Sequence, residues 1–167
     1  MTKPKYPPYS GTERELLETH LEHNRLAVRH KVEGLSLDLA KKRLGNSPTS
    51  VAGLVKHLTE VEGGWFCRIF NGEDWKGSST DENPDGEFDI GPDETVESLL
   101  NDYDTACERS RSICKEFELD DISSLPTRNK QHPSLRWVYL HMIEEIARHD
   151  GHLDIYRELL DGTTDHD

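Results

Sequence analysis

Cysteine is scarce in this chain. Its three residues, Cys67, Cys107 and Cys114, are odd in number and include no Cys-x-x-Cys pair, so there is no disulfide framework and the usage suits a reducing compartment. Cys107 and Cys114 fall in one predicted helix about 10 Å apart along its axis, too far to bridge. All three read as small core or surface residues rather than nucleophiles. Long apolar runs are also missing. No stretch approaches the roughly 18 residues of a membrane span, and the start, Met1-Thr2-Lys3-Pro4-Lys5, lacks the apolar segment of a secretory signal, which predicts a soluble, cytoplasmic protein. Basic residues are outnumbered, with 20 Lys and Arg against 33 Asp and Glu and a formal net charge of -13. Such a field repels phosphate backbones and anionic surfaces, so nucleic acid and membranes are excluded as partners. Strand-like alternation and internal repeats are absent too, which leaves helices as the building material.

A chain of 167 residues suits one domain, taken as residues 1–167. After a Pro-rich lead-in to about Ser10, Thr12-Glu13-Arg14-Glu15 reads as a capping box opening a first helix that runs to about Glu33. Leu17, Leu21, Val28 and Val32 form its apolar stripe. Asn24 and Arg25 fall within roughly 60° of Leu21 and are polar exceptions on that inward face, whereas His20, His23 and His30 lie off it and read as solvated. The Ser47-Pro48-Thr49-Ser50 cluster caps a second helix carrying Val51, Leu54, Val55, Leu58, Val61, Trp65 and Ile69, ending near Asn71-Gly72. His57 sits at the edge of this stripe and Glu62 inside it.

An acidic crossover follows, from Gly72 to Pro92. Asp81, Asn83, Asp85 and Gly86 copy the beginning of a calcium loop, but Pro92 stands where the closing bidentate Glu is needed, so an exposed acidic turn is expected and no calcium. A third helix is predicted from about Asp93 to Phe117, with Asp93 and Glu94 suiting its N-terminal dipole. Residues 118–133 form a loop, and Ser134 caps a fourth helix that ends near Leu160-Asp161-Gly162. Four amphipathic helices with two long connections predict an all-α four-helix bundle.

The fourth helix carries the chemistry. At about 100° per residue, Val138, Met142, Leu153 and Tyr156 fall within roughly 40° of His149, which places that imidazole in the middle of the buried stripe. Glu145, one turn earlier, lies about 40° to one side, His152 about 60° to the same side, and His141 at the margin. Burying such groups unpaired costs several kcal/mol or more, and a metal ion would satisfy them together.

The stretches Val55-Lys56-His57-Leu58-Thr59-Glu60-Val61-Glu62-Gly63-Gly64-Trp65-Phe66, His141-Met142-Ile143-Glu144-Glu145-Ile146-Ala147-Arg148-His149-Asp150-Gly151-His152 and Arg157-Glu158-Leu159-Leu160-Asp161-Gly162 resemble the DinB/YfiT-like superfamily. The similarity is narrower to its largely actinobacterial branch and covers nearly the whole chain. The resemblance implies a metal-binding four-helix bundle, often a homodimer, in which His57 from the second helix joins Glu145 and His149 from the fourth around a divalent transition ion. That pattern usually has His at the first fourth-helix position. Glu145 departs from it and is similar to mycothiol-dependent maleylpyruvate isomerases; His141 or His152 are alternatives for that place. Imidazole and carboxylate together suit zinc, with nickel as the other candidate, and three protein ligands leave a position open.

Characterised relatives use a low-molecular-weight thiol such as mycothiol or bacillithiol. The resemblance therefore implies a metal- and thiol-dependent transferase that moves sulfur to a small electrophile, or a thiol-assisted isomerase, with Asn24, Arg25 and Glu62 orienting the thiol. A metal-dependent hydrolase using Glu62 as base, and a non-catalytic metal-binding stress-response protein, are the rival readings.

Overall fold

The computed structural model describes residues 5–164; Met1 to Pro4 of the Pro-rich lead-in, and the last three residues of the span taken as one domain, lie outside them. Helix α1, Glu13–Val32, opens with the expected capping box: the Thr12 hydroxyl accepts from the Glu15 backbone N–H, and the Glu15 carboxylate accepts from Thr12 N–H at 2.8 Å. A short turn of helix, α2 at Leu37–Ala40, interrupts the connector. Helix α3, Val51–Glu62, is capped by Ser50 and continues without a break into a π-helical segment, Gly63–Phe70. Helix α4 spans Val96–Cys114 and α5 spans Leu135–Asp161, the latter capped by Ser134 and closed by Gly162 at φ 77°, the left-handed conformation that glycine adopts without steric cost.

Two boundaries differ from expectation. The third predicted helix starts at Val96 rather than Asp93, because Thr95 and Ser98 form their own reciprocal cap, and it ends at Cys114 rather than Phe117. Glu94 is spent elsewhere: its carboxylate accepts from Gly91 N–H and pairs with Lys56 at 3.3 Å. His20, His23 and His30 are half-buried rather than freely solvated, and the His23 ring packs edge-on against Tyr6 at 5.6 Å.

Side-chain ties fix the helix directions. Glu13 meets Arg136, Glu18 meets Tyr139, Asn24 meets Ile143 and Lys31 meets Asp154, so α1 and α5 run parallel. Arg14 bonds the Cys114 carbonyl, Glu22 pairs with Arg111 and Arg29 with Asp104, so α1 and α4 are antiparallel. His57 faces Glu145 and His149 while Trp65 faces His141 and Trp137, which makes α3 and α5 antiparallel. Helices α3 and α4 therefore run in the same direction, and residues 71–95 must return the chain along the length of the bundle. Leu21, Val28, Leu54, Leu58, Phe66, Leu135, Met142, Ile146 and Leu153 lie fully buried in one continuous core. Each such side chain contributes about 1.5–3 kcal/mol relative to exposure. No helix among the described residues is long and apolar enough to cross a membrane.

Candidate metal centre and adjoining clefts

The seam between α3 and α5 brings together the three residues that the sequence places apart. His57 Nε2 lies 3.3 Å and His149 Nε2 3.2 Å from the same oxygen, Glu145 Oε1. All three donor atoms are within 4.8 Å of one another. Donors held about 2.0–2.1 Å from a tetrahedral ion stand roughly 3.4 Å apart, so the spacing of each imidazole from the carboxylate matches one edge of such a shell. The side chains are only 12–19% exposed. Among the described residues no other group of three or more His, Cys, Asp and Glu meets that spacing.

Each imidazole has a second contact on its far side. Glu87 Oε2 comes within 3.0 Å of His57 Nδ1, although the angle falls short of a hydrogen bond and Nδ1 stays buried without a hydrogen-bond partner. Phe88 stacks on the same ring at 5.1 Å. His149 Nδ1 faces His152 Nδ1 at 3.3 Å. Hydrogen bonds from His149 and His57 outweigh burial and hold the Glu145 carboxyl well below the usual carboxylate range. Burial opposes charge on His57, but the Glu145 and Glu87 carboxylates prevail and raise its pKa, whereas burial and then the His149 ring lower that of His152.

The two alternatives for the Glu145 place, His141 and His152, have other neighbours. His152 backs His149, and His141 lies one turn further along α5 between two indoles, 4.5 Å from the Trp65 ring and stacked at 5.1 Å on Trp137. Asn24, Arg25 and Glu62 sit behind the seam. Asn24 Nδ2 donates to the Ile143 carbonyl at 3.0 Å, and Arg25 binds Glu62 through two hydrogen bonds of 2.8 Å, with Glu62 0% exposed. Sequence reading missed Glu87 and Phe88, which arrive from the acidic crossover with no periodicity to announce them. In that crossover the Asn83 amide of the calcium-like run is spent on Asp89 at 2.9 Å.

A family profile described as mycothiol-S-transferase matches residues 16–162, which include all of α3, α4 and α5. The chain belongs to the mycothiol S-transferase family. That family lies within the DinB/YfiT-like superfamily. None of the curated proteins matches the chain.

In this mycothiol S-transferase family member, two clefts flank the π-helical segment. One, of about 570 Å³, is strongly polar, lined by Glu60, Arg68, Asp81, Glu87 and Arg128 together with Trp75. The other, of about 510 Å³, lies under Trp65 and Trp137 and is completed by the loop before α5. Glu87 links the polar cleft directly to His57. All three cysteines are buried, and burial pushes the Cys67 and Cys114 thiols up to about 11. Neither supplies a thiolate near neutral pH.

Proposed function

We propose that this protein joins mycothiol through its sulfur to a small electrophile at a divalent ion, zinc in the first instance, held by His57, Glu145 and His149. The observation that carries this reading is the convergence of two imidazole Nε2 atoms on one Glu145 oxygen in a chain whose family is named for mycothiol S-transfer. The ion, when bound, would act as a Lewis acid that lowers the thiol pKa, so that thiolate is present at neutral pH.

The remaining tasks fall to the protein's own side chains. His57 and His149 must present neutral Nε2 lone pairs, which requires their protons on Nδ1. The Glu87 carboxylate beside one Nδ1 and the His152 ring beside the other are positioned to favour that tautomer. Glu145 contributes an anionic oxygen that stays ionised across the physiological range. Three donors rather than four leave room for the sulfur, which favours catalysis over a purely structural ion. With the chain's own thiols buried, the nucleophilic sulfur has to come from outside.

We assign the polar body of the thiol to the cleft lined by Glu60, Arg68, Asp81 and Arg128, whose side chains suit a hydroxyl-rich ligand. Asn24, Arg25 and Glu62 serve that site from behind, tying α1 to the two helices that carry the donors. The hydrolase reading needs a free carboxylate, and Glu62 has none to offer with both oxygens engaged by Arg25. Leu140, Ile155 and Leu159 line up exposed along the outer face of α5, which supports a homodimer, and we expect it to work in the cytoplasm.

Conjugation of mycothiol to 1-chloro-2,4-dinitrobenzene, with metal content measured in parallel, tests the proposal. The zinc-loaded protein should exceed the uncatalysed rate, chelation should abolish the excess, and His149→Ala should lose most of both metal and rate. A loaded wild type no faster than background would overturn it.

A further inference from the structure

Between α1, α5 and the end of α4 lies a cavity of about 320 Å³, to which none of His57, Glu145 and His149 contributes. Its size is that of a small-molecule site. One of its walls is Arg25, which is only 6% exposed. Glu62 uses one edge of that guanidinium, its two oxygens accepting from Nε and Nη2 at 2.8 Å. A guanidinium carries five N–H donors in a fixed fork, so the end-on edge, formed by Nη1 and the second Nη2 hydrogen, is left over. Glu62 is not part of the cavity lining, whereas Glu22, which stands beside Nη1, is. The free edge is therefore the one turned toward the cavity. Glu22 Oε2 does not satisfy it, because it is 3.7 Å from Nη1 and already accepts from Arg111 Nε at 3.0 Å.

The other charged groups around the cavity leave an excess of positive charge. Glu22 is held by Arg111 through two hydrogen bonds, and Glu18 by Arg14 at 3.1 Å, so both acids of the lining are neutralised. Lys115, at the end of α4, pairs with no acid among the described residues. In a chain of net charge -13, a buried guanidinium edge and an ammonium without counter-charge make a local field that draws in an anion. Two parallel N–H donors in a shielded place match the two oxygens of a carboxylate. Thr19, the buried Cys114 and the Tyr139 ring supply a less polar surface beside them.

The walls are held by the protein's own contacts. Tyr139 OH donates to Glu18 at 3.3 Å, and Arg14 donates to the Cys114 carbonyl at 3.3 Å, which ties α1 to both neighbouring helices. Such a frame limits the ordering that binding would otherwise require.

We propose that this cavity is a ligand site separate from the metal centre, and that it takes a small monocarboxylate with an apolar body. The carboxylate accepts from the free edge of Arg25, Lys115 adds charge, and the body of the ligand lies against Tyr139 and Thr19. Neither the ion nor the thiol of the proposed reaction takes part.

Calorimetric titration of benzoate at pH 7 into the full-length protein, stripped of metal by dialysis, tests this, since no ion is then present to coordinate the carboxylate. Wild type should bind benzoate saturably, and benzamide, of the same shape without the charge, at least tenfold more weakly. Lys115→Ala, at an exposed position, should weaken benzoate about threefold. Thr19→Phe should abolish benzoate binding by filling the cavity; the Thr19 hydroxyl bonds only carbonyls of its own helix, so Arg25 and Glu62 keep their partners. Thermal unfolding shows whether that variant is folded, and the comparison of the two probes on wild type stands in either case. Equal binding of benzoate and benzamide, undiminished binding by folded Thr19→Phe, or no saturable binding of benzoate up to about 10 mM would overturn the assignment.

Discussion

Replacing Glu62 by Gln probes the most deeply buried ion pair among the described residues. Glu62 is 0% and Arg25 6% exposed, and both carboxylate oxygens receive guanidinium hydrogen bonds of 2.8 Å. The amide keeps the size of the side chain and one acceptor, but it removes the charge that compensates Arg25. Glu22, the other acid near that guanidinium, stands 3.7 Å away and is itself paired with Arg111. Breaking one side of a buried pair costs about 3–5 kcal/mol, because the surviving charge is stranded. At about 2–4 °C per kcal/mol for a chain of this size, the expected loss in Tm is roughly 10 °C. Urea unfolding at pH 7 with chelator present isolates the effect from metal linkage. The double change Arg25→Met with Glu62→Leu should recover most of the loss, since an apolar pair of similar volume carries no desolvation cost. A loss under about 1 kcal/mol for Glu62→Gln would refute the reasoning, as it would mean that water reaches Arg25 and that the pair does not anchor α1 to α3.

Glu87→Gln should weaken zinc binding about 10–100-fold, as loss of an outer carboxylate on a ligating histidine does; competition with a chromophoric chelator would show it, and a change under threefold would count against Glu87. Gly63→Ala should destabilise the protein by about 1–3 kcal/mol, because a Cβ there would meet Trp75 Cε2 at 1.9 Å. Gly64→Ala, with nothing within 4 Å of its Cβ, should be tolerated, and thermal unfolding of the two variants gives the comparison. In the metal-free protein, Glu145 contributes stability above its ordinary range near 4.5 that is lost as pH falls through its depressed folded value. His57, raised from 6.5, contributes stability that is complete below 6.5 and lost as pH rises through its folded value. Through His57, stability of the chelated protein should therefore fall as pH rises above 6.5, against the smaller opposing effect of His152, while the stabilisation that added zinc confers should grow as protons cease to compete; thermal scans at pH 6 and 8 of wild type and His57→Gln, with and without zinc, decide this.

The bundle was legible in the sequence because its stripes are long. Leu17 to Val32, Val51 to Leu58 and Val138 to Leu153 each repeat at helical spacing, and Thr12, Ser50, Ser134 and Gly162 mark ends by chemistry that acts within one turn. Glu145 and His149 stand out for the same reason, as polar residues on such a stripe, whereas His57 sits at the edge of its own and is singled out only by the family resemblance. What escaped is whatever depends on distant packing. The widened turns at Gly63–Phe70 leave too short a run to distinguish from ordinary helix, and Trp75, which lies against Gly63, comes from outside the segment. Glu87 and Phe88 reach His57 from a loop with no periodicity at all, and the indoles around His141 and the His149 ring beside His152 are likewise set by packing between elements.

The π-helical segment connects these observations. In it each turn takes an extra residue, so side chains after Glu62 are rotated relative to those of a continuing α-helix. Gly64 is thereby turned toward the charged cleft and Trp65 toward the neutral one, while His57, before the segment, keeps its place opposite Glu145 and His149. One helix can thus present a donor to the centre and divide the space beside it into two chemically distinct halves. Glycine at position 63 lets Trp75 lie directly on the backbone where that rotation begins. The widened turns that follow α3 thus stand between a charged cleft and a neutral one, a division that an unbroken α-helix would not place at these residues.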